Sequence, residues 1–165
     1  GEAEAVANFM PTLTASGSGD VAMCSKWGEM TRTVLNFGLT ASQADSWQVT
    51  TMTFSASGNG DDSKAIKQVR LYRGGTKLGE RKYSGDNGSA TFTFPKIIIP
   101  AGQTVTFRLE YEFDPEEMIE CGYALDMIYR ATLSAHNAEP VHYAPGLRSG
   151  SPQGQVEMGC VKLES

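Results

Sequence analysis

An antiparallel β-sandwich of about seven to nine strands is the fold class this sequence predicts. Three observations carry that prediction. Apolar and polar residues alternate with period two in one segment after another. Turn-forming residues interrupt those segments about every ten positions. The crossover helices that a parallel α/β sheet requires are missing from the pattern.

The clearest strand is Gln103 to Asp114, where Val105, Phe107, Leu109, Tyr111 and Phe113 share one face and Thr104, Thr106, Arg108, Glu110 and Glu112 the other. Five alternating apolar residues would scatter around a helix, whereas a strand places them all on one side. Thr31 to Ala41 repeats the theme with Leu35, Phe37 and Leu39. Trp47 to Ser57 starts with Trp47 and Val49 inward and then changes phase to Met52 and Phe54, which predicts a β-bulge at Thr50 or Thr51. Val69 and Leu71 align in Ala65 to Tyr72, and Phe92 and Phe94 in Ala90 to Phe94. Leu125, Met127, Tyr129, Ala131 and Leu133 align in Gly122 to Ala135, and Val156, Met158 and Cys160 in Gln153 to Leu163.

The breaks between these runs have their own chemistry. Residues Ser57 to Ser63, Arg73 to Thr76, Ser84 to Ser89 and Pro100 to Gly102 are rich in Gly, Asn, Asp and Pro, and read as loops and turns. Ser84-Gly85-Asp86 is taken as turn chemistry. Residues 8 to 30 leave room for one edge strand, and Asp114 to Glu120 for one helical turn with acidic residues near its N-terminus. Asn137 to Gln153 holds Pro140, Pro145, Gly146, Gly150 and Pro152, and reads as a long exposed connection of the kind that carries function.

The chain has 165 residues, 40% of them hydrophobic and 20% charged, which fits one globular domain. The start, Gly1-Glu2-Ala3-Glu4-Ala5, resembles the remnant of a processed secretion leader. Residues 1–7 are therefore set apart from a single domain of 8–165. Net charge is −5, and no basic stripe is present to bind nucleic acid or an anionic lipid surface. The longest aliphatic run, Ile97-Ile98-Ile99, is too short for a membrane span. Three cysteines, Cys24, Cys121 and Cys160, suggest in a secreted chain one disulfide between two of them, in any of the three pairings, and one odd thiol. None stands in a CxxC pair, so a structural zinc site is not expected.

The run Ile99-Pro100-Ala101-Gly102-Gln103-Thr104-Val105-Thr106-Phe107, a Pro/Gly corner leading into an alternating strand, resembles the immunoglobulin-like and fibronectin-type modules of secreted and cell-surface proteins. The resemblance covers residues 31 to 113 and implies an extracellular sandwich with a binding role. The Cys-Trp-Cys framework of true immunoglobulin domains is not met by Cys24, Trp47 and Cys121.

No catalytic constellation is legible. His136 and His142 are the only histidines, no Gly-x-Ser-x-Gly elbow occurs, and a triad would need one imidazole held by a carboxylate and facing a hydroxyl. The candidate ligand is calcium. Asn59, Asp61, Asp62 and Ser63 offer hard oxygens in one loop, and Asp114, Glu116 and Glu117 in another. Asn87-Gly88-Ser89 is a sequon that nominates Asn87 for N-glycosylation in a secretory host. Trp27, Tyr72, Tyr83, Tyr123 and Tyr143 are candidate aromatic platforms for a sugar. Trp27 and Tyr143, with His142 beside the latter, sit in loop-like segments and are the leading binding residues. These readings describe a non-enzymatic extracellular module that binds a protein partner. A carbohydrate-binding module, or a structural subunit of a filament or coat, fits the same features.

Overall fold

The computed structural model describes residues 10–18, 31–114 and 127–158. Trp27, Glu116, Glu117, Tyr123, the three cysteines and residues 1–7 lie outside them. Eleven strands are present among the described residues. They are β1 (Thr12–Ser18), β2 (Thr31–Ala41), β3 (Trp47–Gly58), β4 (Ile66–Arg73), β5 (Thr76–Arg81), β6 (Ser89–Ile99), β7 (Thr104–Phe113), β8 (Met127–His136), β9 (Glu139–Pro140), β10 (Leu147–Ser149) and β11 (Gln153–Met158). One short helix, α1 (Asp62–Ala65), precedes β4. No helix among the described residues is long and apolar enough to cross a membrane.

Nine strands follow one hydrogen-bonded path, β5-β4-β7-β2-β1-β11-β8-β3-β6. The path folds into two layers, β5-β4-β7-β2-β1 and β11-β8-β3-β6. They join where β1 meets β11 through a single parallel pair, Ser18 with Gln153. The result is the antiparallel sandwich that the alternation predicts. The strand expected within residues 8 to 30 is not an edge: β1 lies between β2 on one side and β10 and β11 on the other. Among the described residues the free edges are β5 and β6.

The inward residues named from the sequence fill the space between the layers. All five alternating residues of β7 are buried, as are Trp47, Val49, Met52, Phe54, Phe92 and Phe94. Rings hold the layers face to face. Phe37 of β2 stacks on Phe107 at 5.3 Å and meets Phe54 of the opposite layer edge-on at 5.7 Å; Phe113 of β7 meets Tyr129 of β8 at 5.2 Å. Burying such a side chain contributes about 1.5–3 kcal/mol, and aromatic pairing of this geometry adds about 1 kcal/mol. On the solvent side of the first layer, Arg70 binds Glu80 at 2.6 Å and also Glu112, while Arg108 binds Glu110 at 2.7 Å.

The phase change in β3 is real. Its register against β6 shifts between Val49 and Thr51, where Pro95 and Lys96 swell out of β6 and its inward set moves from Phe92 and Phe94 to Ile97 and Ile99. A second shift, between Thr33 and Leu35 in β2, buries Val34 and Leu35 in succession; alternation alone does not reveal it. A bulge strips backbone N–H groups of their ladder partners. In β3 the Asn137 side chain takes their place: its Oδ1 accepts from the amides of Thr50 and Thr51, both at 2.9 Å, and its Nδ2 donates to Thr50 Oγ1 at 2.6 Å.

Asn137 also opens the stretch read as a long exposed connection, which is exposed over most of its length but is not without structure. The segment adds the two short strands that lie off the main path, β9 against β3 and β10 against β1. It also buries Ala138 and Pro140. Its proline and glycine content suits these contacts. Gly146 passes so close to Trp47 that a Cβ would lie 2.6 Å from the indole ring and from Pro140. The Ala144–Pro145 bond is cis.

Asn137→Ala should destabilise the fold by about 1–2 kcal/mol through the loss of this cap. Asn137→Asp, which keeps the acceptor shared by the two amides, should cost less. Urea unfolding of the two variants checks the order.

Candidate functional site

Loops collect at one end of the sandwich, around the 42–46 corner between β2 and β3. Ser46 Oγ accepts from the Ala101 amide at 3.1 Å, and the Ser46 carbonyl accepts from Val141 at 2.9 Å. Asp45 does more. Only 5% exposed, it accepts from the His142 amide at 2.6 Å and the Tyr143 amide at 2.8 Å through one oxygen, and from His142 Nδ1 at 2.8 Å through the other. Burial alone would raise its pKa. The hydrogen bonds from the His142 ring and from the two amides, with the attraction of that imidazole, outweigh burial and hold the carboxyl below its ordinary value.

Three consecutive amides, Val141 to Tyr143, are thus fixed by one corner of the chain, and side chains that project from a fixed backbone are presented to solvent. Tyr143 is 63% exposed and Leu147 60%. Met10 and Val141 are exposed as well, and Leu147 pairs with Thr12 at the start of β1. These four and Ile98 are the large exposed apolar residues of the described chain. Ile98 lies one strand across from β9, since Gln48 pairs with both Ile98 and Glu139. An apolar set gathered at one end, held on anchored backbone, has the make-up of an interface core.

Of the residues nominated from the sequence, Tyr143 and His142 come together here, their rings 6.1 Å apart. Tyr83 does not serve as a platform. It is buried, and its hydroxyl bonds that of Tyr111 in the core. Tyr72 lies under the Arg108 guanidinium, 4.3 Å from its ring centre. Asp45, Val141 and Leu147 were not nominated. An Asp before a strand signals only a turn, and its partners stand 97 and 98 positions away.

Both imidazoles engage the chain through Nδ1. His142 Nδ1 is on Asp45, and no hydroxyl among the described residues bonds its Nε2. His136 Nδ1 accepts from Ala138 at 3.2 Å, and burial, with the charge of Arg148, lowers its pKa to about 4.

The acidic loop is similarly engaged. Asn59 Oδ1 accepts from Ile128 at 2.6 Å. Asp61 caps α1, accepting from the Ser63 amide at 3.1 Å and hydroxyl at 2.7 Å. Asp114 sits beside this helix, its amide donating to Ala65 at 2.8 Å. No three His, Cys, Asp or Glu residues among those described form a metal-binding group. Asp62 is wholly buried. One oxygen accepts from the Asn87 amide at 3.1 Å, and the other has no partner among the described residues. Burial, reinforced by the neighbouring Asp86, raises its pKa to about 6. Asn87 itself stands exposed in its turn at a positive φ of 54°.

No protein-family model matches the sequence, and no curated protein does. Among solved structures the chain is similar to one from a type I cohesin–dockerin complex of Clostridium thermocellum, at 14% identity over 89% of this chain and 94% of that one, with a TM-score of 0.47. It is similar to the B domain of a biofilm-associated protein, at 9% identity over 94% of this chain and 47% of that one, TM-score 0.41. A third is the collagen-binding domain of a Staphylococcus aureus adhesin, at 10% identity over 88% and 96%, TM-score 0.28. None of these likenesses bears on what this chain binds.

Asp45→Ala should cost about 2–3 kcal/mol in urea unfolding, because it leaves two amides and an imidazole without their charged acceptor; Asp45→Asn should fall between it and the unaltered chain. Asp62 sets a pH dependence of the opposite sign to an ordinary ion pair. Between the unfolded value of 3.8 and about 6, the folded chain holds a proton on Asp62 that the unfolded chain releases, so the contribution of Asp62 to stability falls as pH rises through that window. His136, lowered from 6.5 to about 4, contributes a rise over nearly the same window. The two offset each other in thermal melts from pH 4 to 7, and Asp62→Asn should make the melting temperature climb with pH more steeply than in the unaltered chain.

Proposed function

We propose that this chain is a non-catalytic binding module that works outside the cell, secreted or at a surface, and that it recognises a protein partner through the loop end built on Asp45. The observation that carries the reading is the anchored segment from Val141 to Tyr143, which holds an exposed tyrosine beside the exposed Leu147. A large aromatic on backbone already fixed loses little entropy on binding, the property that makes such residues dominate interface energetics. His142 lies at the rim with its ring held on the same carboxylate, and its polarity suits the border of an apolar contact.

The test is binding of the chain to immobilised extracellular-matrix and cell-surface proteins, run beside a glycan array. The expected result is retention on a protein ligand, weakened about thirtyfold by Tyr143→Ala with Leu147→Ala while the melting temperature holds. Binding to defined neutral sugars that disappears with Tyr143→Ala would move the site to carbohydrate. Turnover in a broad hydrolase panel would end the non-catalytic reading.

A further inference from the structure

A second feature lies away from the tyrosine loop, along the seam between the free edges. At one end β5 and β6 are bracketed by Arg81, whose Nε donates to the Thr91 carbonyl at 3.1 Å. At the other end they part around an open cleft of about 700 Å³. Arg73, Lys77 and Lys96 line it. A groove of about 540 Å³ continues from it across the tip of the β4–β5 hairpin toward β1, sharing Gly74, Thr104 and Thr106 and adding Arg108. The combined trough thus carries four cations and no carboxylate, in a chain whose net charge is −5.

Two of the cations are held in part by the fold. Lys77 is 3.8 Å from Glu80, and Arg108 binds Glu110 and covers Tyr72. Arg73 and Lys96 have no such partner among the described residues, and both are exposed. Like charges gathered in one concavity repel, and a bound polyanion relieves that repulsion while releasing its counterions.

We propose that this trough binds a linear anionic polysaccharide bearing carboxylate or sulfate groups. Its cations stand on four different strands around one continuous concavity, Arg73 on β4, Lys77 on β5, Lys96 on β6 and Arg108 on β7, an arrangement that suits a ligand bearing several negative charges. Thr76 and Thr106 place hydroxyls among the cations, to exchange hydrogen bonds with sugar hydroxyls. An acidic peptide adding itself as a strand is disfavoured at the β6 edge. There Pro95 lacks an N–H, Lys96 is charged, and the strand bulges, three features that guard a sheet edge against pairing. The site uses none of the residues assigned to the protein-binding end.

Titration calorimetry of the full chain with polygalacturonate, dextran sulfate, neutral dextran and polyglutamate tests the proposal, each in a series of salt concentrations. Binding to one or both anionic polysaccharides, weakening with salt and absent for neutral dextran, is expected; which of the two binds identifies carboxylate or sulfate as the recognised group. Arg73→Glu with Lys96→Glu should weaken it at least about tenfold with the melting temperature held, since charged hydrogen bonds are lost. Tyr143→Ala should leave it unchanged, so that failure here is separable from failure of the loop-end reading. The proposal is overturned if neither polysaccharide binds at low salt, if the double reversal has no effect, or if polyglutamate binds as tightly, which would assign the trough to acidic peptide.

Discussion

The rest of this structure depends on how strand β3 changes phase. A strand that alternates strictly from Trp47 would turn Met52 and Phe54 toward solvent. One irregularity near Thr50 keeps all four large side chains in the core, at the cost of two backbone amides without ladder partners. Asn137 accepts from both. That side chain therefore does two jobs. It satisfies the bulge, and it fixes where the chain leaving β8 turns to run beside the start of β3 as β9.

From that turn the geometry of the loop end follows. Once Pro140 is paired with Trp47, the next three amides face the Ser46 carbonyl and the Asp45 carboxylate. The buried carboxylate is itself stabilised by the donors it organises, which is why it stays ionised at a site where burial favours protonation. Asp62 makes the contrast. It is buried more completely, receives one amide and faces Asp86, and its pKa moves the other way. The Asp45 loop presents apolar side chains on fixed backbone, and the Asp62 loop turns its oxygens inward on the chain itself.

The layers of the sandwich were legible because alternation is a local signal. β3, β4, β6 and β7 each state their own inward face, and even the β3 bulge is written in the step from Val49 to Met52, whereas β5, with no buried side chain, gives no such signal. What joins the layers is not local. The place of β1 between β2 and β11 depends on partners far along the chain, and Gly/Ser-rich residues give no period to read. The pairing of Asp45 with His142 spans 97 positions. Tyr143 could be picked out by its loop-like surroundings, whereas Tyr83, in an equally turn-rich stretch, points into the core because Tyr111 offers its hydroxyl a partner there. The basic trough was invisible for a similar reason. Arg73, Lys77 and Lys96 look like scattered surface charges until the hairpin and the β6 edge bring them together.

Native-state hydrogen exchange measures the central claim most directly, since it reports whether the bulge cap and the Asp45 anchor hold backbone that lies close to solvent. The amides of Thr50, Thr51, His142 and Tyr143 should exchange slowly, well below the rates of an unstructured chain, even though Tyr143 itself is exposed. Exchange at unstructured-chain rates at all four positions would contradict this, showing a mobile connection in place of an anchored loop end.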